Sequence, residues 1–181
     1  IAQRMAISHA ERVLTLTSIM SSGYMHDPEL PPVHKSFRQN LLKLILKYQI
    51  RPNSRKIAKF GVGIRIALKG DGPYEVDIKD AVQKALYERH KRRGSNPKVR
   101  DQHGAAILAS GSRLQELKHL KLPIAVIHGR PDPLVIFPHG KKSASMMPNA
   151  KTLWLDGMGH DMPSIYFDQF HAAILKHLEG A

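Results

Sequence analysis

Two short apolar runs in the last third of the chain are each followed by a polar loop and then by a segment of helix length. The first run, residues 124–127, leads to a turn that carries Asp132, and the second, residues 152–155, leads to His160. Short apolar runs that alternate with helical segments are typical of parallel strands that are buried on both faces. The order therefore predicts two consecutive strands, with Asp132 after the first and His160, 28 residues later, after the second.

The start of the chain predicts one more strand of the same kind. Residues 1–9 have a helical pattern, and residues 13–19 form a β-branched run suited to a buried strand. Residues 27–32 then contain three prolines, which prevent regular strand pairing. The prolines mark a crossing from this strand into a different layer of the molecule.

Helical patterns fill the segment between residues 34 and 121. Breaks at residues 70–73 and 94–97 divide it into three or four helices, the last over residues 98–110. Two stretches place apolar residues at helical spacing. They are Phe37, Leu41, Leu44, Ile45 and Tyr48 in the first stretch, and Ile78, Val82, Ala85 and Leu86 in the second.

The net charge of +13 is concentrated in the same segment. Residues 34–121 contain 21 lysines and arginines against 7 carboxylates, whereas the rest of the chain contains 7 against 8. A composition shift of this kind marks a subdomain. We therefore predict an α/β fold in three parts, in which residues 1–33 and 122–181 form a core with a parallel sheet and residues 34–121 form an inserted, basic, all-helical lid.

Composition and motifs exclude several kinds of site. The chain has no cysteine, which excludes disulfides and thiolate metal sites and suggests a reducing, cytoplasmic location. No apolar run is long enough to span a bilayer. The 11 histidines show no His-Glu-x-x-His motif and no ligand spacing, so we expect neither a metal nor another cofactor.

Several motifs together resemble a known family. They are IAQRMA at residues 1–6, ERV at 11–13, SIMSSG at 18–23, AAILASGSR at 105–113, VIHG at 126–129, DPLV at 132–135 and GMGHD at 157–161. In these motifs the chain resembles the aclacinomycin methylesterase branch of the α/β-hydrolases, which are carboxylic ester hydrolases. The resemblance implies an α/β-hydrolase sheet with a helical lid, a small-molecule ester as substrate, and a triad in the chain order nucleophile, acid, base.

The resemblance also implies roles for two residues, His160 as the catalytic base and Asp132 as the acid that orients it. Asp161, which adjoins His160, and Asp156, at the end of a strand, are alternatives for the acid. No Gly-x-Ser-x-Gly motif occurs, so we expect the serine about five positions upstream of Ile1 or on another chain. We also expect this chain to need an N-terminal portion of the same fold and to aggregate when made alone.

Two other classes of function stay open at this point. One is a catalytically silent hydrolase-fold protein used for binding, and the other is a basic nucleic-acid-binding module. Few aromatic residues lie among the cations of the lid, so no base-stacking platform is visible and we do not expect a nucleic-acid partner. We expect no membrane partner either. Only the hydrolase hypothesis explains the pair of Asp132 and His160, and in a hydrolase the charge of the lid could attract anionic esters.

Overall fold

Three parallel strands form the sheet, in the order β1-β2-β3. The computed structural model describes residues 1–92 and 97–179. The strands are β1, Leu16–Ile19; β2, Ile124–Gly129; and β3, Lys151–Leu155. Pairing of β1 starts only at Leu16, whose N–H donates to the carbonyl of Pro123, so this strand is shorter than the predicted run. The parallel sheet confirms the predicted α/β class.

The core is built on β2, in which all six residues are buried. Four helices cover the two faces of the sheet: α1, Ala2–Ser8; α6, Leu114–Leu117; α7, Phe137–Ser145; and α8, Phe167–Glu179. On one face Val126 packs in a cluster with residues of α1, α6 and α7, and on the other Ile127 packs with Phe170 of α8. Alternate side chains of a strand point to opposite faces, which is why β2 supplies both clusters.

The inserted helices are α2, Lys35–Tyr48; α3, Ser54–Lys69; α4, Ile78–His90; and α5, Pro97–Ala109. Side-chain caps fix two of their starts, because Asn53 accepts the N–H of Lys56 and Asp77 accepts the N–H of Asp80, each at 2.9 Å. Helix α3 packs between α2 and α4. Of the break predicted at residues 94–97, residues 94–96 lie outside the described residues, and α5 begins at Pro97.

Two details differ from the sequence pattern. Leu117 and Leu120, from the end of the predicted lid segment, pack in the core cluster. The helical pattern that follows Asp132 predicts a start near residue 135, whereas α7 begins at Phe137, after a turn in which Asp132 accepts the N–H groups of Leu134 and Val135. No helix within residues 1–92 and 97–179 combines the length and the apolarity needed to cross a bilayer.

Candidate active site

The loops that follow β2 and β3 meet at the carboxyl-terminal edge of the sheet. A Cβ atom on Gly129, the last residue of β2, would overlap the carbonyl oxygen of Met158 in the loop after β3. Only glycine allows this close approach of two backbones. The contact brings the turn that carries Asp132 and the loop that carries His160 together at one edge of the sheet.

Asp132 is buried, and both of its carboxylate oxygens are bonded. Oδ1 accepts the N–H groups of Leu134 and Val135, each at 2.9 Å. Oδ2 lies 2.7 Å from Nδ1 of His160, and the Asp132 side chain has no exposed surface. Backbone donors that hold one oxygen fix the direction of the other, so the carboxylate is aimed at the histidine ring.

His160 faces this carboxylate with one ring nitrogen and leaves the other available. Because Nδ1 faces a carboxylate oxygen, it carries the proton and donates it, so Nε2 is left as an acceptor. The side chain is 22% exposed. Within the described part of the chain no serine or other group bonds to Nε2, and the arrangement therefore presents a proton acceptor at the surface of the site.

The end of helix α3 lies directly on the His160 loop. The backbone N–H of His160 donates to the carbonyl of Leu68 at 2.8 Å. A Cβ atom on Gly159 would overlap the carbonyl oxygens of Leu68 and Lys69. The last carbonyls of a helix have no partner within the helix, and here the loop supplies a donor to one of them. The lid therefore contacts the backbone of the candidate base itself.

Tyr74, which follows α3 in a turn, makes a second contact with this loop. Its buried hydroxyl donates to Asp161 Oδ1, and the N–H of Gly159 points to the same hydroxyl at 3.4 Å. Burial, and next the hydrogen bond to Asp161, raise the pKa of Tyr74 above its usual range, so it stays a donor. Sequence reasoning missed Tyr74 and Leu68, since no spacing in the sequence connects them to residue 160.

The two alternative carboxylates have other partners. Asp161 accepts the hydroxyl of Tyr74. Asp156 lies at the surface, with 89% of its side chain exposed, and forms an ion pair with Arg130 at 2.6 Å. Of the three carboxylates considered from the sequence, Asp132 is the one that the structure brings to the ring of His160.

A second histidine, His128, lies beside Asp132 but has a structural role. Its Nε2 donates to the carbonyl of Val135 at 2.7 Å and lies 3.5 Å from Asp132 Oδ2. Burial lowers the pKa of His128, and this effect outweighs the nearby carboxylate, which would raise it. A neutral His128 does not neutralise Asp132, and its bond to Val135 supports the turn that holds the carboxylate.

A buried serine-histidine pair at the end of β1 is separate from the site. Ser22 Oγ lies 3.0 Å from His139 Nδ1, and His139 Nε2 lies 3.1 Å from the carbonyl of Pro31. The serine oxygen also accepts the N–H of Tyr24. Both side chains are buried, so the pair joins α7 to the loop that leads into the lid and presents no nucleophile to solvent.

A cavity lies at the opposite end of the sheet from His160, and the described residues form no cluster of metal ligands. In the described ranges, no group of three or more His, Cys, Asp or Glu side chains could hold a metal ion. A cavity of about 640 Å³ opens at the amino-terminal end of β2, lined by residues that include Ile124, Lys151 and His177. None of its lining residues belongs to the His160 site.

Solved structures with similar folds identify the fold of this chain. The meta-cleavage product hydrolase CumD of Pseudomonas fluorescens superposes with a TM-score of 0.66 at 16% identity, covering 99% of this chain and 60% of that one. A 2-hydroxy-6-oxo-6-phenylhexa-2,4-dienoate hydrolase of Rhodococcus gives 0.67 at 16% identity, covering 97% and 59%. The chain has the α/β-hydrolase fold, which confirms the fold that the resemblance implied.

Curated relatives in sequence are methylesterases. The chain is 24% identical over 194 residues to rhodomycin D methylesterase DnrP of Streptomyces peucetius, and 25% identical to the corresponding enzyme DauP of a second Streptomyces. Each alignment covers 100% of this chain and 64% of the relative, so the chain spans less than two thirds of their length. No family model matches the chain.

Proposed function

We propose that this chain supplies the base and the acid of a carboxylic ester hydrolase. The observation that carries the proposal is the bond of 2.7 Å between His160 Nδ1 and Asp132 Oδ2, at the edge of the sheet where the strands end. A similarity to methylesterases at 24% and 25% identity supports an ester as the substrate class. We also propose a cytoplasmic location, for which the lack of cysteine is the support.

In the proposed reaction, Nε2 of His160 takes the proton of a serine hydroxyl as the serine oxygen attacks the ester carbonyl. The same proton then goes to the leaving alcohol, and an acyl-enzyme remains. Water then attacks the acyl-enzyme and gives a proton to Nε2, and Nε2 returns this proton to the serine oxygen as the carboxylic acid leaves. Asp132 keeps the proton of the ring on Nδ1 and stabilises the imidazolium that forms at each step.

The serine belongs to a segment upstream of Ile1 or to another chain. None of the described serines bonds to His160 Nε2, and the sequence has no Gly-x-Ser-x-Gly motif. The proposal therefore concerns a protein in which these residues are joined to, or assembled with, a portion that carries the nucleophile. The substrate and the N-terminal portion of the fold are the two partners that the proposal requires.

The test measures ester hydrolysis by the protein that includes the upstream portion. His160→Ala should remove most of the rate, and Asp132→Asn should lower kcat by up to about 10⁴, as the equivalent change does in serine proteases by leaving the wrong tautomer. The double variant should be no worse than the His160→Ala variant, because the two residues act as one unit. Asp161→Asn is the matched control and should cost much less. Circular dichroism of each variant separates lost folding from lost chemistry.

A second measurement needs no nucleophile. The Nδ1 proton of a histidine bonded to a carboxylate gives a characteristic downfield NMR signal, which Asp132→Asn should remove and Asp161→Asn should keep. Near-normal turnover in a folded His160→Ala variant would eliminate the proposed triad. A protein with the upstream portion that keeps the NMR signal but hydrolyses no ester would instead be the catalytically silent binding protein.

A further inference from the structure

The hairpin of α2 and α3, residues 35–70, is positively charged throughout. It contains ten lysines and arginines and no aspartate or glutamate. Among the described residues, none of these ten cations forms an ion pair with a carboxylate. A surface on which every charge has the same sign, without internal neutralisation, attracts an extended anionic partner.

Helix α2 also has aliphatic side chains on its outer face. Leu42 and Leu46 lie four residues apart and are 57% and 59% exposed, and Ile50, just after the helix ends at Tyr48, is 60% exposed. Residues at this spacing lie on the same side of a helix. Leu44, on the opposite side, lies against Gly63 of α3, so the hairpin already packs through its other face.

Exposed cations flank this aliphatic stripe, defined as Leu42 and Leu46 of α2 with Ile50 just beyond its end. Lys43 follows Leu42 and Lys47 follows Leu46 in the sequence, and both lysines are exposed. Helices that bind in the plane of a membrane interface combine aliphatic side chains, which enter the boundary between headgroups and acyl chains, with lysines and arginines that contact anionic lipids. We propose that the outer face of α2 binds the surface of an anionic phospholipid membrane.

The surface favours a lipid partner over the alternatives. Single-stranded nucleic acids are bound through aromatic side chains between cations, but the hairpin's Phe37 is buried and its Tyr48 and Phe60 are half-buried. A second copy of the chain would bring an equally positive face against this one, which costs repulsion. A peripheral contact needs no spanning segment, so the expectation of no membrane partner, which rested on the absence of such a segment, does not bear on it.

The experiment is sedimentation of the protein that includes the upstream portion, without vesicles and with phosphatidylcholine vesicles that contain or lack phosphatidylserine, at low and physiological ionic strength. Binding should require phosphatidylserine and weaken with salt. The double variant Leu42→Gln/Leu46→Gln should weaken partitioning about tenfold because it removes the inserted groups. Lys43→Gln/Lys47→Gln should also weaken it about tenfold and should reduce the dependence on salt.

Two control variants make the same kinds of substitution outside the hairpin of α2 and α3. Leu175→Gln/Leu178→Gln replaces leucines of α8 that are 58% and 51% exposed, and Lys118→Gln/Lys121→Gln removes exposed lysines outside the hairpin. Both control variants should bind vesicles as the unmodified chain does. All of the replaced residues are exposed, and circular dichroism checks that each variant is folded.

Three results would overturn the proposal. Equal binding to vesicles with and without phosphatidylserine, or no binding to either, would exclude an anionic lipid as the partner. A leucine variant that binds vesicles normally, together with displacement of vesicles by duplex DNA, assigns the surface to nucleic acid. Self-association that the leucine variant abolishes in the absence of vesicles assigns the stripe to contacts between copies of the chain.

Discussion

In β2 every residue is buried, whereas in α3, with 16 residues, only Ile57 and Ala67 are buried. The core, β1–β3 with α1, α6, α7 and α8, is held by apolar packing on both faces of a sheet. The lid, α2–α5, relies on caps and on packing between neighbouring helices. Side chains on β2 are therefore closely packed, whereas most side chains on α3 have free space around them.

The two regions also differ in charge, and they contact each other around the candidate site. The lid carries nearly all of the excess positive charge of the chain. Its contacts with the core include the bond from His160 N–H to the Leu68 carbonyl, the bond from Tyr74 to Asp161, and Gly70 against Pro131. Gly70 has a φ of 58°, which favours glycine and turns the chain from α3 towards Tyr74. The loop that carries His160 is therefore in contact with the end of α3 and with the turn that follows it.

The largest expected difference between the regions is in tolerance of a single methyl group. In the core, Gly129→Ala would drive a Cβ into the backbone of Met158, and we expect a loss of about 3 to 5 kcal/mol in the free energy of unfolding. In the lid, Gly63→Ala meets only the end of the Leu44 side chain. That side chain can rotate and alanine favours the helix, so the change should stay within about 1 kcal/mol of the parent. Chemical denaturation measures both, and equal losses would contradict the contrast.

An intermediate effect, on kcat, is expected for a substitution at the contact between lid and core. This prediction rests on the proposed function. Tyr74→Phe keeps the ring, which packs at 6.0 Å against Tyr166, but leaves the buried Asp161 oxygen without its donor. We expect kcat to fall about tenfold with KM nearly unchanged, because the His160 loop is held less firmly while the substrate contacts stay.

Asp161→Ala should have a similar effect to Tyr74→Phe, and the double variant should be no worse than either, since each removes the same hydrogen bond. Tyr87→Phe is the matched control in the lid. Tyr87 is 56% exposed, so the loss of its hydroxyl should leave kcat unchanged. Full kcat in the Tyr74→Phe variant, or losses that simply add in the double variant, would show that Tyr74 does not position the base.

Acid should destabilise the core through His128. Its pKa in the folded state is lowered by burial, so below about pH 6.5, the ordinary value, the unfolded chain binds a proton that the folded core does not. The free energy of unfolding is therefore unaffected by the protonation of His128 above that pH. It decreases as the pH falls from that value towards the lowered pKa.

The measurement is denaturation at several pH values between neutral and mildly acidic, followed by the fluorescence of Trp154, the single tryptophan, which contacts Phe137 beside His128. His128→Gln should reduce the pH dependence, and His90→Gln, at an exposed position of the lid, should not. An unchanged pH dependence in the His128→Gln variant would place the titrating group elsewhere.

The smallest effect concerns the charge of the lid in catalysis. If the lid attracts anionic esters, kcat/KM for a negatively charged ester should fall with added salt by more than that for a neutral ester of similar size. Screening at a Debye length of about 8 Å limits the effect to a few-fold at physiological ionic strength. Equal responses to salt would mean that the lid charge serves other purposes, and binding of a membrane surface is the one that we propose.

Local pattern alone predicted most of the fold. The short apolar runs at residues 124–127 and 152–155 became β2 and β3, the first buried on both faces as expected for a parallel strand and the second buried only at Leu155. Helical spacing from Phe37 onward predicted α2 in the same way. The limits of elements were less accurate, as the late start of α7 shows, because the turn that Asp132 forms with Leu134 and Val135 leaves no mark on the helical spacing.

For the candidate site, the sequence by itself determined the order of Asp132 and His160 along the chain and the edge of the sheet at which they lie, since loops after consecutive parallel strands must emerge on the same side. Their roles as acid and base stay predictions. Only the tertiary structure decided which carboxylate faces the ring, that Asp161 is bonded to Tyr74, and that the carbonyl of Leu68 holds the backbone of His160. These contacts join residues that are 28 to 92 positions apart, and they depend on where a lid comes to rest on a loop, which no local periodicity encodes.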